Sequence, residues 1–246
     1  MVFIFRHIFL YFTVVIKDVL QSLHGCHPLF LFFFFLDLLK NQWKRVQALP
    51  QTFWGLVAAR IFVHTTASSE VVIYVARNPK DVLVSYFYFH KVANMLETPR
   101  DFDDFFEKFM RGNVFGSSWF EHIKTWYSHK DDINMLFITY EEMIQDLHSA
   151  VERIALFLGK ELADEQLADV VKHSTFNNMK NIPQANYERV PGELLSHHQG
   201  RFMRKGTIGD WKTHFTVAQN EMFDKVFHGE MANIPLVFIW DIKDFA

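Results

Sequence analysis

The sequence has a single cysteine, Cys26, among 246 residues, so no disulfide can form within the chain. Scarce cysteine is typical of a protein from a reducing compartment, and we expect a cytoplasmic location. The formal net charge is -3, which gives no electrostatic reason to expect nucleic-acid binding. A local basic site for one anionic ligand remains compatible with this charge. Internal repeats and long Pro/Gly/Ser linkers are also missing from the sequence.

No uninterrupted apolar run reaches the roughly 20 residues that a membrane-spanning helix needs. The apolar run at 2–16 contains an Arg-His pair, and the run at 29–36, with four consecutive Phe residues, is shorter. We therefore set residues 1–70 apart as an atypical Phe-rich N-terminal region. Membrane tethering through this region is an alternative, and a truncated or mis-spliced start is another.

From residue 71 onward, the chain alternates between strand-like and helix-like segments. Val71–Ala76 is a β-branched apolar run, which predicts a buried strand, and Asn134 to Thr139 predicts a second one. This alternation predicts an α/β domain over 71–246, with a parallel central sheet flanked by helices. The predicted helices lie at Pro79–Asn94, 101–111, 117–129, Tyr140–Gly159, 162–173 and Thr216–Met231, with a loop-rich stretch at 174–210.

The first candidate site lies where the predicted strand Val71–Ala76 ends. Ligands bind at the carboxyl ends of parallel strands, so Arg77 is expected to face a ligand crevice. Ser85 follows two helical turns later, and a guanidinium with a hydroxyl can hold one phosphate. The alternative is a strand-end Arg that only pairs with a carboxylate. Asn78 is expected to cap the following helix, and Asp81 to favour its dipole.

The second candidate site is a flexible basic loop that begins at Arg201. Adjacent cations at Arg204 and Lys205 precede Gly206, and glycine lets backbone N–H groups approach an anion closely. The alternative is a solvated basic turn.

Two long segments resemble signatures of the cytosolic sulfotransferase family. These are YVARNPKDVLVSYFYF, from Tyr74 to Phe89, and FMRKGTIGDWKTHFTVAQNEMFD, from Phe202 to Asp224. They occur in the family's order and at its usual separation. The resemblance implies a P-loop-NTPase-like sulfotransferase fold. It also implies transfer of a sulfuryl group from 3′-phosphoadenosine 5′-phosphosulfate (PAPS) to a hydroxyl or amine of a small apolar acceptor, such as a phenol or steroid, without a metal.

The resemblance also assigns nucleotide-binding roles to matching positions. It implies that Arg77 and Ser85 grip the 3′-phosphate, that the basic loop completes this grip, and that five residues surround the adenosine. Within HSTF, Ser174 stands where the family usually has Thr, which departs from its pattern. The basic-loop residues are Arg204, Lys205 and Gly206, and those around the adenosine are Tyr140, Ser174, Phe176, Phe202 and Met203.

A short motif in the second signature matches the family's dimerisation motif. The resemblance implies a homodimer formed through a small self-complementary contact. The alternative is an ordinary helix start with Thr216 as its N-cap. The motif residues are Lys212, Thr216, Val217 and Glu221.

Residues 1–76 lack two parts that the resemblance leads us to expect. They contain no Lys-Ser-Gly phosphosulfate loop of the family's type, and the first strand that precedes such a loop cannot be found. The segment at 46–54 resembles the end of the family's segment that carries the catalytic His. Matched in this way, the expected position of the His falls near Trp43, so the His itself is absent. His64 is the nearby substitute as general base. These omissions keep open a catalytically impaired isoform or fragment that retains only the 3′-phosphoadenosine half-site and the dimerisation motif.

Overall fold

The computed structural model describes residues 71–245. Strand β1 spans Val71–Ala76 and pairs in parallel with β2, Asn134–Thr139, in a register that runs from Val71 opposite Asn134 to Ala76 opposite Thr139. Within the described part of the chain the sheet has these two strands. The predictions about the first strand, the phosphosulfate loop and His64 fall outside the described residues.

Eight α-helices surround this strand pair in residues 71–245, and all but the shortest, Phe176–Met179, were expected close to where they lie. They are α1 Pro79–Val92, α2 Phe102–Met110, α3 Trp119–Ser128, α4 Tyr140–Gln145, α5 Leu147–Phe157, α6 Asp164–His173, α7 Phe176–Met179 and α8 Val217–Glu230. Short 3-10 turns occupy Asp210–Thr213 and Ile242–Phe245. Each helix within residues 71–245 is too short or too polar to span a bilayer.

The sequence prediction of one helix from Tyr140 to Gly159 is wrong, because the backbone breaks at Asp146. Its carboxylate accepts a hydrogen bond from the Ser149 N–H at 3.0 Å and so caps a new helix. An aspartate that binds nearby backbone in this way competes with helix continuation. Gly159 follows the end of α5 with φ +68°, the left-handed conformation expected of a helix-ending glycine. A second unpredicted feature is α7, which lies inside the predicted loop and is capped by Thr175.

The core forms because β1 is apolar on both faces and the helices cover it. Every residue from Val72 to Ala76 is buried, as expected for a strand with helices on both sides. Aromatic side chains of α2 and α3, including Phe106, Phe109 and Phe120, pack into the same core. These Phe residues therefore belong to the core.

Helix α8 and the C-terminal segment are joined to α1 through Lys80. Its ammonium group is buried, 4.3 Å from the Trp211 ring centre and 4.9 Å from that of Trp240. It donates to Asn220 Oδ1 at 2.7 Å and pairs with Asp224 at 2.5 Å. A buried ammonium group needs this combination of rings and acceptors because its charge is costly to remove from water.

Glu141 is a buried carboxylate just after β2. Its Oε1 accepts hydrogen bonds from the backbone N–H of Asn78 at 2.9 Å and from the Asn78 side chain at 3.3 Å. Its Oε2 has no partner among the described residues. Burial raises the pKa of Glu141 to about 7, against the lowering effects of the Asn78 hydrogen bond and the Arg77 charge.

We expect Glu141→Gln to flatten the pH dependence of stability between about pH 4.5 and 7. The unfolded carboxyl ionises near its ordinary pKa, whereas the folded one keeps its proton until about pH 7. The folded state therefore binds more protons in this window, and its stability falls as pH rises. The full effect is at most about 3 kcal/mol. Thermal unfolding at pH 5 and pH 8 measures it.

The exposed Glu152→Gln provides the matched control, since it removes the same charge outside the core. Equal pH slopes in the wild type and in Glu141→Gln would contradict the assignment.

Candidate functional site

The site begins at the carboxyl ends of the two parallel strands. Ala76 lies opposite Thr139 in the register, so Arg77 and Tyr140, which follow them, are neighbours. The Arg77 guanidinium lies 4.3 Å from the centre of the buried Tyr140 ring. Burial raises the pKa of the Tyr140 hydroxyl, so it stays protonated at neutral pH. The sequence prediction placed Arg77 at this edge, and the resemblance implied that Tyr140 lies beside the adenosine. The structure brings the two side chains into contact.

Arg77 also reaches the basic loop, which lies far away in sequence. Its Nη2 donates to the carbonyl of Thr207 at 2.9 Å and lies 3.7 Å from the Asp81 carboxylate. Its Nε is buried without a partner among the described residues. The two signature segments therefore meet at Arg77, one through its position in the chain and the other through Thr207.

Asp81 fixes the position of the basic loop. It is buried, and its two oxygens accept hydrogen bonds from the backbone N–H groups of Gly209 at 2.8 Å and Trp211 at 3.0 Å. The Asn78 side chain donates to it at 2.9 Å, while Asn78 Oδ1 caps α1 by accepting from the Asp81 N–H at 2.8 Å. The expected capping by Asn78 is confirmed. The contacts of Asp81 with the loop were not predicted, because the loop lies far away in sequence.

Within the loop, one carboxylate holds both adjacent cations. Asp210 is buried and forms ion pairs with Arg204 and Lys205. Burial opposes ionisation of Asp210, but the hydrogen bonds from Lys205 and Arg204 outweigh it and lower the pKa of the carboxyl. The sequence prediction of a flexible basic loop did not include Asp210 as the partner of these cations, because the burial of Asp210 depends on the fold.

Gly206 lies directly against the Phe176 ring. Its φ is +65°, and a Cβ placed on it would lie 2.1 Å from Phe176 Cδ2. This contact brings α7 to the basic loop, so the residues expected around an adenine and those expected around its phosphate share one site. Ser174, at the end of α6, is fully buried, and its Oγ has no partner among the described residues.

The remaining predicted residues lie in different surroundings. Ser85 is half-buried on α1. Phe202 is buried, with its ring 6.2 Å from Phe89 and 4.7 Å from Tyr187, and Met203 is buried beside it. Both therefore anchor the start of the basic loop in the core. Among residues 71–245, no grouping of His, Cys, Asp and Glu could hold a metal ion.

The predicted dimerisation motif lies at the start of α8. Thr216 caps this helix by accepting from the Gln219 N–H at 3.2 Å, and a role in dimerisation stays a prediction. Lys212 pairs with Asp241. Val217 is 77% exposed, unusually high for an apolar side chain, and Glu221 is also exposed.

A cavity of about 370 Å³ lies between the end of α1 and α2. It is bordered by Met95, Leu96 and Phe105 on its apolar side and by His90 and Lys108 among its polar residues. Phe105 is therefore both a core residue and part of a cavity wall.

Comparison with known proteins shows which family the chain belongs to. A model of the sulfotransferase domain matches residues 26–235. The chain belongs to the sulfotransferase family. The match begins within the Phe-rich region, and the division that we drew at residue 70 stays a prediction.

Curated relatives support the same assignment. Rabbit amine sulfotransferase is 49% identical over 71% of this chain and 59% of its own length. Human sulfotransferase 2B1 is 47% identical over 78% of this chain and 53% of its own length. The chain thus spans between half and six-tenths of the length of these relatives.

Solved structures show the same fold with bound nucleotide. Mouse sulfotransferase SULT7A1 complexed with PAP matches 66% of this chain and 59% of its own, at 36% identity and a TM-score of 0.59. Retinol dehydratase with retinol and PAP matches 68% of this chain and 49% of its own, at 33% identity and a TM-score of 0.63. The predicted α/β sulfotransferase fold is confirmed.

We expect Gly206→Ala to displace Phe176 and to weaken nucleotide binding. The added Cβ would overlap the Phe176 ring and would also strain a left-handed backbone, which costs about 1–2 kcal/mol by itself. Titration calorimetry with adenosine 3′,5′-bisphosphate and thermal unfolding measure both effects.

Gly159→Ala is the matched control, because Gly159 has φ +68° but no atom within 4 Å of an added Cβ. It carries the backbone strain alone. If the two variants lose equal stability and neither loses affinity, the Phe176–Gly206 contact does not shape the site.

Proposed function

We propose that this chain binds PAPS and transfers its sulfuryl group to a hydroxyl or amine of a small apolar molecule. The observation that carries the proposal is the junction at Arg77, where Thr207 of the basic loop meets the carboxyl end of β1. Arg77 would hold the 3′-phosphate together with Ser85, Arg204, Lys205 and Gly206. Tyr140, Ser174, Phe176, Phe202 and Met203 would surround or support the adenosine.

The charges and donors of this junction suit a phosphate. Three cations, Arg77, Arg204 and Lys205, are paired with two carboxylates, so one positive charge is in excess. A guanidinium has five N–H donors and an ammonium group three, so ion pairing leaves each cation with further donors for phosphate oxygens.

The surroundings of Phe176 suit an adenine. Base stacking on an aromatic face stabilises a bound nucleotide by about 1–3 kcal/mol. The half-buried Phe176 ring is fixed by Gly206, and the nearby buried Ser174 Oγ offers a hydroxyl with no described partner. Ser174 and the ring are therefore suited to bind a polar aromatic base.

The relatives support a small apolar acceptor. One is an amine sulfotransferase, and retinol dehydratase has been solved with androsterone as well as with retinol. A phenol, a steroid or a related amine is the acceptor class that we propose. PAPS would supply the activated sulfuryl group, and His64 is our candidate for the base that takes the acceptor proton.

A second candidate function is nucleotide binding without transfer. The sequence observation that favours it is the absence of a Lys-Ser-Gly loop from residues 1–76. Such a loop would hold the 5′-phosphosulfate, and losing an electrostatic stabiliser of this kind raises a barrier by several kcal/mol. A cytoplasmic location and a homodimer through Lys212, Thr216, Val217 and Glu221 complete either proposal.

The 3′-phosphate grip predicts a difference between two nucleotides. Arg204→Ala should weaken the binding of adenosine 3′,5′-bisphosphate by about 10- to 100-fold, since a hydrogen bond to a charged group contributes roughly 1.5–3 kcal/mol. The affinity for adenosine 5′-monophosphate, which lacks the 3′-phosphate, should change little. Titration calorimetry on the full chain measures both affinities.

Arg201→Ala is the control, because it removes the same charge from an exposed position three residues earlier. If wild-type chain binds the two nucleotides equally, the 3′-phosphate site is wrongly assigned.

A transfer assay separates the two candidate functions. With radiolabelled PAPS and a panel of phenols, sterols and amines, the first predicts turnover that His64→Ala abolishes. Nucleotide binding without turnover would support the second. Turnover that survives His64→Ala would show that another group is the base.

A further inference from the structure

Tyr88 lies on α1 one helical turn after Ser85. Side chains three residues apart share one face of a helix, so Tyr88 continues the face that carries Ser85. It is half-buried, and no signature role was assigned to it from the sequence.

The Tyr88 ring carries the guanidinium of Arg204. The Arg204 Cζ lies 4.5 Å from the ring centre, within the range of a cation–π contact. The Lys91 ammonium group lies farther away, at 5.7 Å, and is closer to Phe87. Arg204 is therefore held from two directions, by the Tyr88 ring and by the Asp210 carboxylate.

The hydroxyl of Tyr88 fixes the ring in turn. It lies 3.0 Å from Nε2 of His214, whose Nδ1 lies 3.0 Å from the backbone carbonyl of Asp210. A carbonyl only accepts, so Nδ1 donates to it, and Nε2 shares a hydrogen bond with the Tyr88 hydroxyl. The same segment that supplies the Asp210 carboxylate thus also anchors the tyrosine.

We propose that Tyr88 is a positioning residue for the 3′-phosphate site, which it serves by holding Arg204 in the orientation that binds the anion. The inference rests on the proposed nucleotide-binding function. An arginine has many rotamers, and fixing it before binding lowers the conformational entropy that binding would otherwise cost. A ring can do this without neutralising the charge that attracts the phosphate.

The test compares nucleotide affinities across variants of residue 88 in the full chain. Tyr88→Leu should weaken the binding of adenosine 3′,5′-bisphosphate by about 2- to 12-fold, the cost of ordering one arginine side chain on binding. Adenosine 5′-monophosphate should bind as to wild type. Tyr88→Phe keeps the ring and should retain most of the affinity. In an Arg204→Ala background, Tyr88→Leu should have no further effect.

Tyr127→Leu is the matched control. This half-buried tyrosine also has a cation over its ring, Lys130 at 5.4 Å, but it lies on α3 outside the site. The affinities of the Tyr127→Leu variant for both nucleotides should stay at wild-type values.

Fluorinated phenylalanines at position 88 cover the case in which Tyr88→Leu does not fold. Fluorine withdraws electron density from the ring with little change in shape, so the preference for the bisphosphate should fall as fluorines are added. The inference would be overturned if Tyr88→Leu weakened the binding of both nucleotides equally. It would also be overturned if neither Tyr88→Leu nor the fluorinated residues changed the affinity for the bisphosphate. A wild-type chain without preference for the bisphosphate would overturn the proposed function itself, and the inference with it.

Discussion

The contacts of one buried carboxylate, Asp81, hold the basic loop in place against the start of α1. Its oxygens bind the N–H groups of Gly209 and Trp211, which lie about 130 residues later in the chain. Removing a carboxylate from water costs several kcal/mol unless hydrogen bonds and opposite charge compensate. Asp81 obtains both, from these N–H groups, the Asn78 side chain and Arg77, so the start of α1 and the basic loop stabilise each other.

The rest of the loop geometry follows from these contacts. Because Gly209 and Trp211 are both fixed, Asp210 between them has little freedom, and its carboxylate is buried where it pairs with Arg204 and Lys205. Gly209 itself has φ +86°, a conformation that favours glycine, so the turn depends on this residue as well. Asp81 thus contributes, through its contacts with the loop backbone, to where the two cations lie.

Local chemistry explains which parts of this arrangement were predictable from sequence. Asn78 capping, the β1 strand and the position of Arg77 at its end follow from neighbouring residues and from the rule that ligands bind at the carboxyl ends of parallel strands. Asp81 and Glu141 could be assigned no more than local roles, because their partners lie far away in sequence. The break at Asp146 was a local signal that the apolar periodicity of the surrounding helix concealed.

The cations of the site are paired with carboxylates, which orders their side chains but lowers the net positive charge of the site. A cluster of free arginines and lysines would attract phosphate more strongly at long range, but each side chain would lose rotamer freedom on binding. Here Arg204 is held by Asp210 and by the Tyr88 ring, and Arg77 by Thr207 and the Tyr140 ring. The two rings hold the guanidinium groups without adding negative charge. Aromatic residues therefore let this site be ordered and still carry a net positive charge for an anion.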